Sequence, residues 1–562
     1  MAYPDVPNPD LLSRIPSDAK VVLDVGCFTG ALGAEYKRRN PRAKVFGIER
    51  DAAAGGDARR RLDGVYVTDL DTDPIPFAND FAPGSIDCLI YGDVLEHVKD
   101  PADVLRGHVD FLADNGIVII CCPNLEHWSF SDRLMRGVWE YEDQGLFDKT
   151  HLRWFTKNSM RRMLRSMNLV PIDTTPRVFD ADECEEFVNS IASGAKRLGI
   201  DTSYYHSRSL PLQYVWRAGR TGVNERLTVV STMLSPVGGV SEVRVSEPME
   251  AMKSDGRLST SVIMHSDDIP LDVEGPKIFI FHRPVLAGAA GLERIRALIS
   301  RGWVVVCEFD DHPDYIPVLQ RPDILNFRGV HAVQTTTVEL ADVFRSQNPE
   351  IAIFENGISR LPDISNFRNN DKIRLLFAGL NRENDWRPYV ESMNALSKRF
   401  GDRLHFEIIS DRIIFNMLET PHKTFTPLCD YQTYRNILSR CEISFMPLSN
   451  TPFNRCKSDL KYIEAAAYRV AALASPVGYE HCIDDGESGI LFRTPTEFEH
   501  HLSILVANPD FTRKIGDGGR RYVEQSRMLS YQVRRRADWY LSLWARRDSL
   551  TQSLLARAPG LG

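Results

Sequence analysis

Val21 to Gly30, VVLDVGCFTG, runs from an apolar strand into a glycine turn that carries an acid, and helix-forming sequence follows it. This is the βα turn of a nucleotide-binding α/β sheet. Glycines at Gly26 and Gly30 let the backbone approach a ligand closely, and Asp24 can accept hydrogen bonds from an amino or hydroxyl group. The spacing narrows the ligand. A dinucleotide fingerprint reads G-x-G-x-x-G, whereas this chain has Asp-x-Gly-x-x-x-Gly and lacks the middle glycine.

That pattern favours S-adenosylmethionine over NAD, and further acids arrive at matching places. The strand from Ala43 to Ile48 ends in Glu49, about 20 residues beyond the turn, where the acid of a βαβ unit reaches ribose hydroxyls. VYVTDLD sets Asp69 and Leu70 where an adenine amine and ring face are met, and IDCLIYGDVLEHV ends a fourth strand at Asp93. From about Asp18 to Pro171 the chain resembles a class I methyltransferase, whose motifs read D-x-G-x-x-x-G, a ribose acid, an acid–Leu pair, then D-V-L-E-H. The resemblance implies S-adenosylmethionine held by Asp24, Gly26, Gly30, Glu49, Asp69, Leu70 and Asp93. A Rossmann-like domain with another ligand is the rival reading.

The segment Pro123 to Thr156 departs from the strand–helix rhythm and is crowded with aromatic and ionisable side chains. Long ordered loops at the carboxyl ends of parallel strands carry function, so this one is expected to cover the methyl acceptor. Methyl transfer to a hydroxyl calls for an in-line approach and often a base, and histidine is tuned for that near neutral pH. His97, His127 and His151 are the candidates; a packed helix residue (His97) and solvated loop residues (His127, His151) are the bland alternatives. The loop resembles those of methyltransferases from bacterial surface-polysaccharide clusters, which implies a sugar hydroxyl as acceptor.

A chain of 562 residues with 43% hydrophobic content exceeds one core and suggests three globular units. No apolar run reaches the length of about 18 residues needed to span a bilayer, and the N-terminus lacks a basic region followed by an apolar one, so a cytoplasmic protein is expected. The ten cysteines have no paired metal spacing; reduced thiols, no structural zinc and no bound metal are expected. A formal net charge of −8 argues against a nucleic-acid binder.

Between Phe179 and Asn224 the alternation lapses, and Gly219, Gly222 and Asn224 read as a linker. After Arg226 it restarts with LTVVSTMLSPVGGVSEVR. Ten strand candidates follow, interrupted at ISRLPDISNFRNNDK, which suggests two parallel-sheet domains with a ligand cleft between them, the GT-B architecture. Gly238 and Gly239, after the first of these strands, would turn backbone N–H groups toward a phosphate or an acceptor; a plain tight turn is the alternative. FAGLNRENDW offers Arg382, and KSDLKYIEAAA supplies Lys457, Ser458, Lys461 and Glu464. The i, i+4 lysines share a helix face; such cations neutralise a leaving diphosphate while the carboxylate holds ribose hydroxyls. A solvated charged face is the alternative.

From about Arg226 to Arg546 the chain is similar to group 1 GT-B glycosyltransferases, most strongly through KSDLKYIEAAA and ASPVGYEHCIDDGESGILF. The resemblance implies a nucleotide-sugar donor, with Arg382 and Lys457 or Lys461 on its diphosphate and Glu464 on its ribose. The family's E-x7-E motif would start at position 456, where this chain has Cys456, so the retaining mechanism does not carry over. EFDDHPD invites a metal-dependent GT-A reading through Asp310 and Asp311, but the acids are adjacent and the strand count favours two sheets. Asp310, Asp311 and His282 are taken as cleft or acceptor candidates, the two aspartates as catalytic ones.

The basic, Trp- and Leu-bearing segment from Ser526 to Leu555 has the spacing of a helix that lies on an anionic membrane surface; a closing helix packed back across the two domains is preferred. The expected fold is therefore α/β: a Rossmann-like methyltransferase domain (1–180), a connecting segment (181–225), a GT-B acceptor domain (226–368), a GT-B donor domain (369–548) and a tail (549–562). The expected function is bifunctional. It comprises methyl transfer from S-adenosylmethionine to a sugar hydroxyl and glycosyl transfer from a nucleotide sugar to a glycan or lipid-linked glycan, in bacterial surface-glycan biosynthesis at the inner face of the cell membrane. Two alternatives stand beside it: a GT-B half that binds glycan without transferring sugar, and a methyltransferase acting on a protein or small molecule.

Overall fold

The computed structural model describes residues 5–234, 239–264, 269–270, 272–367 and 372–562. The chain forms two compact units, Met1–Asn224 with Ser254–Gly256, and Glu225–Lys253 with Arg257–Gly562.

The first unit is built on a seven-stranded sheet: β1 (Val21–Val25), β2 (Lys44–Glu49), β3 (Gly64–Val67), β4 (Ile86–Gly92), β5 (Leu112–Pro123), β6 (Val170–Arg177) and β7 (Gln213–Gly219). Their spatial order is β3-β2-β1-β4-β5-β7-β6, parallel except that β7 runs against both neighbours. Side chains alternate across a strand, so an all-apolar strand needs cover on both faces. Leu23, Val25, Leu89, Tyr91, Val118 and Ile120 enter one core, and Val22, Cys88, Ile90, Ile119, Cys121 and Val215 enter the other. The strand order reverses between β1 and β4, and ligands of open α/β sheets bind outside the carboxyl ends of the strands at such a point.

The second unit contains two all-parallel six-stranded sheets. One comprises β8 (Leu227–Thr232), β9 (Leu258–Ile263), β10 (Lys277–His282), β11 (Val304–Glu308), β12 (Ala332–Thr335) and β13 (Ile351–Ile353), in the order β13-β12-β11-β10-β8-β9. The other comprises β14 (Ile373–Ala378), β15 (Leu404–Ile409), β16 (Lys423–Thr426), β17 (Ile443–Met446), β18 (Ala471–Ala474) and β19 (Ile490–Leu491), in the order β16-β15-β14-β17-β18-β19. Phe279, Phe281, Val305 and Cys307 pack on one side of the first sheet, and Ile278, Ile280, Val304 and Val306 on the other. The α/β fold class and the paired parallel sheets are those expected.

Three expectations need correction. Residues 181–225 are not a connecting segment: they contain two helices, Ala181–Arg197 and Thr202–Ser209, and β7, which inserts between β5 and β6. The strand count in the second unit is twelve, not ten, the two not foreseen being the partly buried strands β13 and β16. The expected tail 549–562 is packed and is no free tail, while the segment before it packs back on the unit, in line with the preferred closing-helix reading. Val533, Ala537, Tyr540 and Leu543 of helix Val533–Ala545 pack on the first sheet of this unit, and Leu554, Ala558 and Leu561 of the expected tail pack on its other face. Among the described residues no helix is long and apolar enough to cross a membrane.

Candidate active sites

In the first unit the glycine turn after β1 has the backbone that its residues imply. Gly26 and Gly30 take φ of +73° and +79°, and a Cβ on Gly26 would lie 2.3 Å from Cγ2 of Val94. Glycine is thus required there by conformation and by space. Glu49, at the end of β2, accepts the N–H of Phe28 at 2.8 Å through Oε2 and the N–H of Asp51 at 2.9 Å through Oε1. It pins the turn while its remaining lone pairs stay available. Asp24 is only 4% exposed, and burial together with the Glu49 carboxylate pushes its pKa up to about 7.

Asp69 accepts the N–H of Asp71 at 3.0 Å and pairs with Arg50 at 3.3 Å, while Leu70 leans on the core. Asp93, the residue after β4, has φ +56° and accepts Nε2 of Gln213 at 2.5 Å. Burial raises its pKa, and the Arg177 guanidinium, itself donating to Gln213, acts against that rise. Asp24, Gly26 and Asp93 therefore stand at the carboxyl ends of the two strands that flank the reversal of strand order.

The three histidines separate. The His97 and His151 rings meet edge to face, 4.8 Å apart. His127 lies elsewhere in the loop's structure: it caps helix Trp128–Arg136, its Nδ1 meets Ser129 Oγ at 2.8 Å and its Nε2 meets Asp180 at 3.3 Å. With 1% exposure and both ring nitrogens engaged within the loop, His127 caps the helix and stands apart from the His97–His151 pair. Sequence reasoning passed over Glu96. Its side chain is 1% exposed and neither carboxylate oxygen has a hydrogen-bond partner, although it sits inside the D-V-L-E-H motif.

In the second unit a cavity of about 300 Å³ opens between the two sheets and gathers Asp310, Arg382, Lys457, Ser458, Lys461 and Glu464. Glu464 is 5% exposed; its Oε1 accepts the Tyr431 hydroxyl at 2.7 Å and its Oε2 the Tyr434 hydroxyl at 3.0 Å. Burial pushes its pKa up to about 7 against the pull of those two hydroxyls. Arg382 donates to Asn454 at 2.7 Å, Lys457 pairs with Asp311, and Lys461 donates to the Ala378 carbonyl. Asp310 accepts Arg283 Nε at 2.5 Å, and the same guanidinium lies 3.6 Å from Asp311. The acid pair is thus neutralised by Arg283 and Lys457.

His282 is 2% exposed, neither ring nitrogen has a hydrogen-bond partner, and it is not among the residues that line the cavity. Gly239 takes φ +86°, and a Cβ there would reach 2.5 Å from the Tyr431 ring, so its role is close packing beside the tyrosine that holds Glu464. Gly238 lies outside the described residues. Two basic residues of the cavity, Arg244 and Arg283, were not anticipated. Arg244 donates to Glu308 at 2.8 Å and to Asn356 at 2.9 Å, and Asn356 passes a hydrogen bond to Ser458 at 2.8 Å. Valines on both sides of Arg244, in the run EVRVS, were the available signal that this arginine is buried.

The family model of a methyltransferase domain matches residues 6–174, and that of a glycosyl transferase-like domain matches residues 387–541. This chain joins a methyltransferase domain to a glycosyl transferase-like domain. Trans-aconitate 2-methyltransferase of Methylobacterium nodulans is 33% identical over 139 residues, 24% of this chain and 49% of that protein. The chain spans about half the length of the curated relatives it matches. Among solved structures, sucrose-phosphate synthase of Thermosynechococcus elongatus is 14% identical, covering 57% of this chain and 100% of that one with a TM-score of 0.41. An S-adenosylmethionine-dependent methyltransferase of Archaeoglobus fulgidus is 16% identical, covering 38% and 94% with a TM-score of 0.27.

The donor set of the methyltransferase domain fits S-adenosylmethionine. Two acids, Asp24 and Glu49, flank a turn whose backbone can be approached closely, and Asp24 is held partly protonated until a cation or donor arrives to favour its charge. In the second unit three cations, Arg382, Lys457 and Lys461, stand with Glu464 in one cavity. Cys456 does not join them: it is 6% exposed and packs in the core of the first sheet of this unit.

Proposed function

We propose that the chain is a bifunctional transferase of surface-glycan biosynthesis, methylating a sugar hydroxyl in its first unit and adding a glycosyl group from a nucleotide sugar in its second. The observation that carries the reading is the convergence of Arg382, Lys457, Lys461 and Glu464 on one cavity, in a chain whose other unit sets Asp24, Glu49 and Asp93 around a glycine turn.

Bound S-adenosylmethionine supplies an electrophilic methyl group on sulfur. Around it, the glycine turn offers backbone at close range, Glu49 and Asp24 take donor groups, and the 123–156 loop covers the carboxyl end of β4 through the Leu152 and Arg153 N–H groups on the Glu96 carbonyl, at 2.7 and 3.0 Å. In the second unit, cations disperse the charge that builds on a departing diphosphate, and Glu464 orients a ribose.

Two other readings have their own support. Burial of Cys456 in the core, where the E-x7-E motif would place a glutamate, supports a glycan-presenting module without transfer. The names of the relatives, trans-aconitate 2-methyltransferase and ubiquinone biosynthesis O-methyltransferase, support a small-molecule acceptor.

Calorimetric titration of the full chain with S-adenosylhomocysteine and with a panel of nucleoside diphosphates tests the reading, repeated on Asp24→Ala and Glu464→Ala. Two sites, each lost only in its own variant, are expected. Binding of S-adenosylhomocysteine alone would remove the glycosyl-transfer half, and labelled methyl transfer to glycan, peptide and carboxylic-acid acceptors side by side separates the acceptor classes.

A further inference from the structure

Glu96, His97 and His151 lie in the first unit with one ligand atom each, all within 4.8 Å of one another. Glu96 and His97 follow β4 in the D-V-L-E-H motif, and His151 is brought to them by the loop that closes on the Glu96 carbonyl. Neither oxygen of the Glu96 carboxylate meets a donor, although the side chain is 1% exposed. An ionised carboxylate buried without a donor or a cation is costly, and burial with the nearby Asp93 accordingly pushes the Glu96 pKa well up.

The hydrogen bonds around the two rings fix where their protons sit. Thr150 Oγ1 lies 2.6 Å from Asp148 Oδ1, which can only accept from it, so the single hydroxyl hydrogen is used there. The same oxygen lies 3.0 Å from His97 Nδ1 and must therefore accept, which places the His97 proton on Nδ1 and leaves Nε2 with a lone pair. His151 Nδ1 lies 3.2 Å from the Leu146 carbonyl, which also only accepts, so its Nε2 is left with a lone pair as well. The ring lone pairs then face the Glu96 carboxyl, whose pKa burial and the neighbouring Asp93 hold well above the usual carboxylate range, and a cation binding here takes the place of its proton. Rings held by Nδ1–H on a carbonyl or on a carboxylate relay are those of metal-ligating histidines.

The geometry points to Glu96, His97 and His151 as the ligands of a divalent first-row transition metal, with Thr150 and Asp148 as positioning residues for His97. Two imidazoles with one carboxylate select such a metal over magnesium or calcium, and three protein ligands leave coordination positions open. This departs from the expectation, drawn from cysteine spacing, that the chain binds no metal. The consequence for catalysis rests on the methyl-transfer reading above. A cation here lowers the pKa of an acceptor hydroxyl that reaches it. As the oxygen bonds to the methyl carbon, the carbon–sulfur bond breaks with its electron pair on sulfur and the hydroxyl proton leaves to water.

Chelator-treated full-length protein is titrated with Co²⁺, followed by visible absorption, and with Mn²⁺, followed by electron paramagnetic resonance; S-adenosylhomocysteine binding and thermal unfolding are measured on the same samples. One site per chain is expected. It weakens at least about 100-fold in Glu96→Gln and in His151→Ala and about tenfold in Thr150→Ala, with S-adenosylhomocysteine binding kept as the proof of folding. No saturable site in the parent chain overturns the inference, and so does a site that survives both Glu96→Gln and His151→Ala, which would belong to other groups such as Asp459, His481 and Cys482. Metal binding without S-adenosylhomocysteine binding would instead overturn the methyl-transfer reading and leave the metal site standing.

Discussion

The ammonium of Lys457 pairs with the carboxylate of Asp311 across the cavity of the second unit, so a residue before the Glu464 helix is held by one that follows β11 of the opposite sheet. A diphosphate entering the cavity competes with Asp311 for this cation. Removing the competing charge in Asp311→Asn is expected to tighten binding of a nucleoside diphosphate about three- to tenfold, about 1 kcal/mol. Lys457→Ala loses a charge-assisted contact and is expected to weaken it about 30-fold, about 2 kcal/mol. Isothermal titration of both variants reads the two signs directly. Equal weakening in both would show that the pair acts as a strut and that the diphosphate does not use Lys457.

Glu464 gives the donor site a pH signature. Its pKa stands at about 7 because burial outweighs the hydroxyls of Tyr431 and Tyr434. A ribose donates to the ionised carboxylate, whose fraction grows through neutral pH. Nucleoside diphosphate affinity is therefore expected to rise about tenfold from pH 6 to pH 8 and to be flat over that range in Glu464→Gln. In Tyr431→Phe, one stabilising hydrogen bond fewer shifts the midpoint upward. A profile in Glu464→Gln that matches the parent chain would assign the titration to another group.

These residues were legible to different degrees. The strands with all-apolar runs, β1, β4, β5, β10, β11 and β14, declare themselves because both faces are buried. The edge strands β13 and β16 do not: most of their residues are only partly buried, so no long apolar run marks them. β7 hid behind the glycines that follow it, since Gly219 ends a strand rather than beginning a linker. KSDLKYIEAAA disclosed Lys457, Lys461 and Glu464 through helical spacing, whereas Arg244 and Arg283 reach the same cavity from segments without a motif. His127 looked like His151 in sequence, and only the fold shows that one caps a helix while the other meets His97.

Asp24 trades stability for binding. Its carboxyl has a pKa of about 7 in the folded chain against an ordinary value near 3.8. The folded state therefore holds the proton more tightly, and the stability that goes with it is complete below about pH 4 and lost progressively as pH rises to 7. Asp24→Asn carries no such loss. Without ligand it is expected to match the parent near pH 4 and to exceed it at pH 8 by up to about 4 kcal/mol, while losing S-adenosylhomocysteine binding. Chemical denaturation at the two pH values, with and without S-adenosylhomocysteine, checks both halves. A parent chain whose stability rises over this interval relative to Asp24→Asn would show that Asp24 is ionised and internally paired.

Gly26 combines two constraints that can be separated. Its φ of +73° costs an L-residue about 1–2 kcal/mol, and a Cβ would overlap Val94 Cγ2 at 2.3 Å. Gly26→Ala is expected to weaken S-adenosylhomocysteine binding by at least about tenfold, because the turn must shift to relieve the overlap. Adding Val94→Ala removes the atom in the way but leaves the backbone strained. The double variant should therefore recover part of the binding lost by Gly26→Ala, with a coupling energy near 1 kcal/mol in a double-mutant cycle. Full recovery would assign the glycine to space alone, and no recovery to conformation alone.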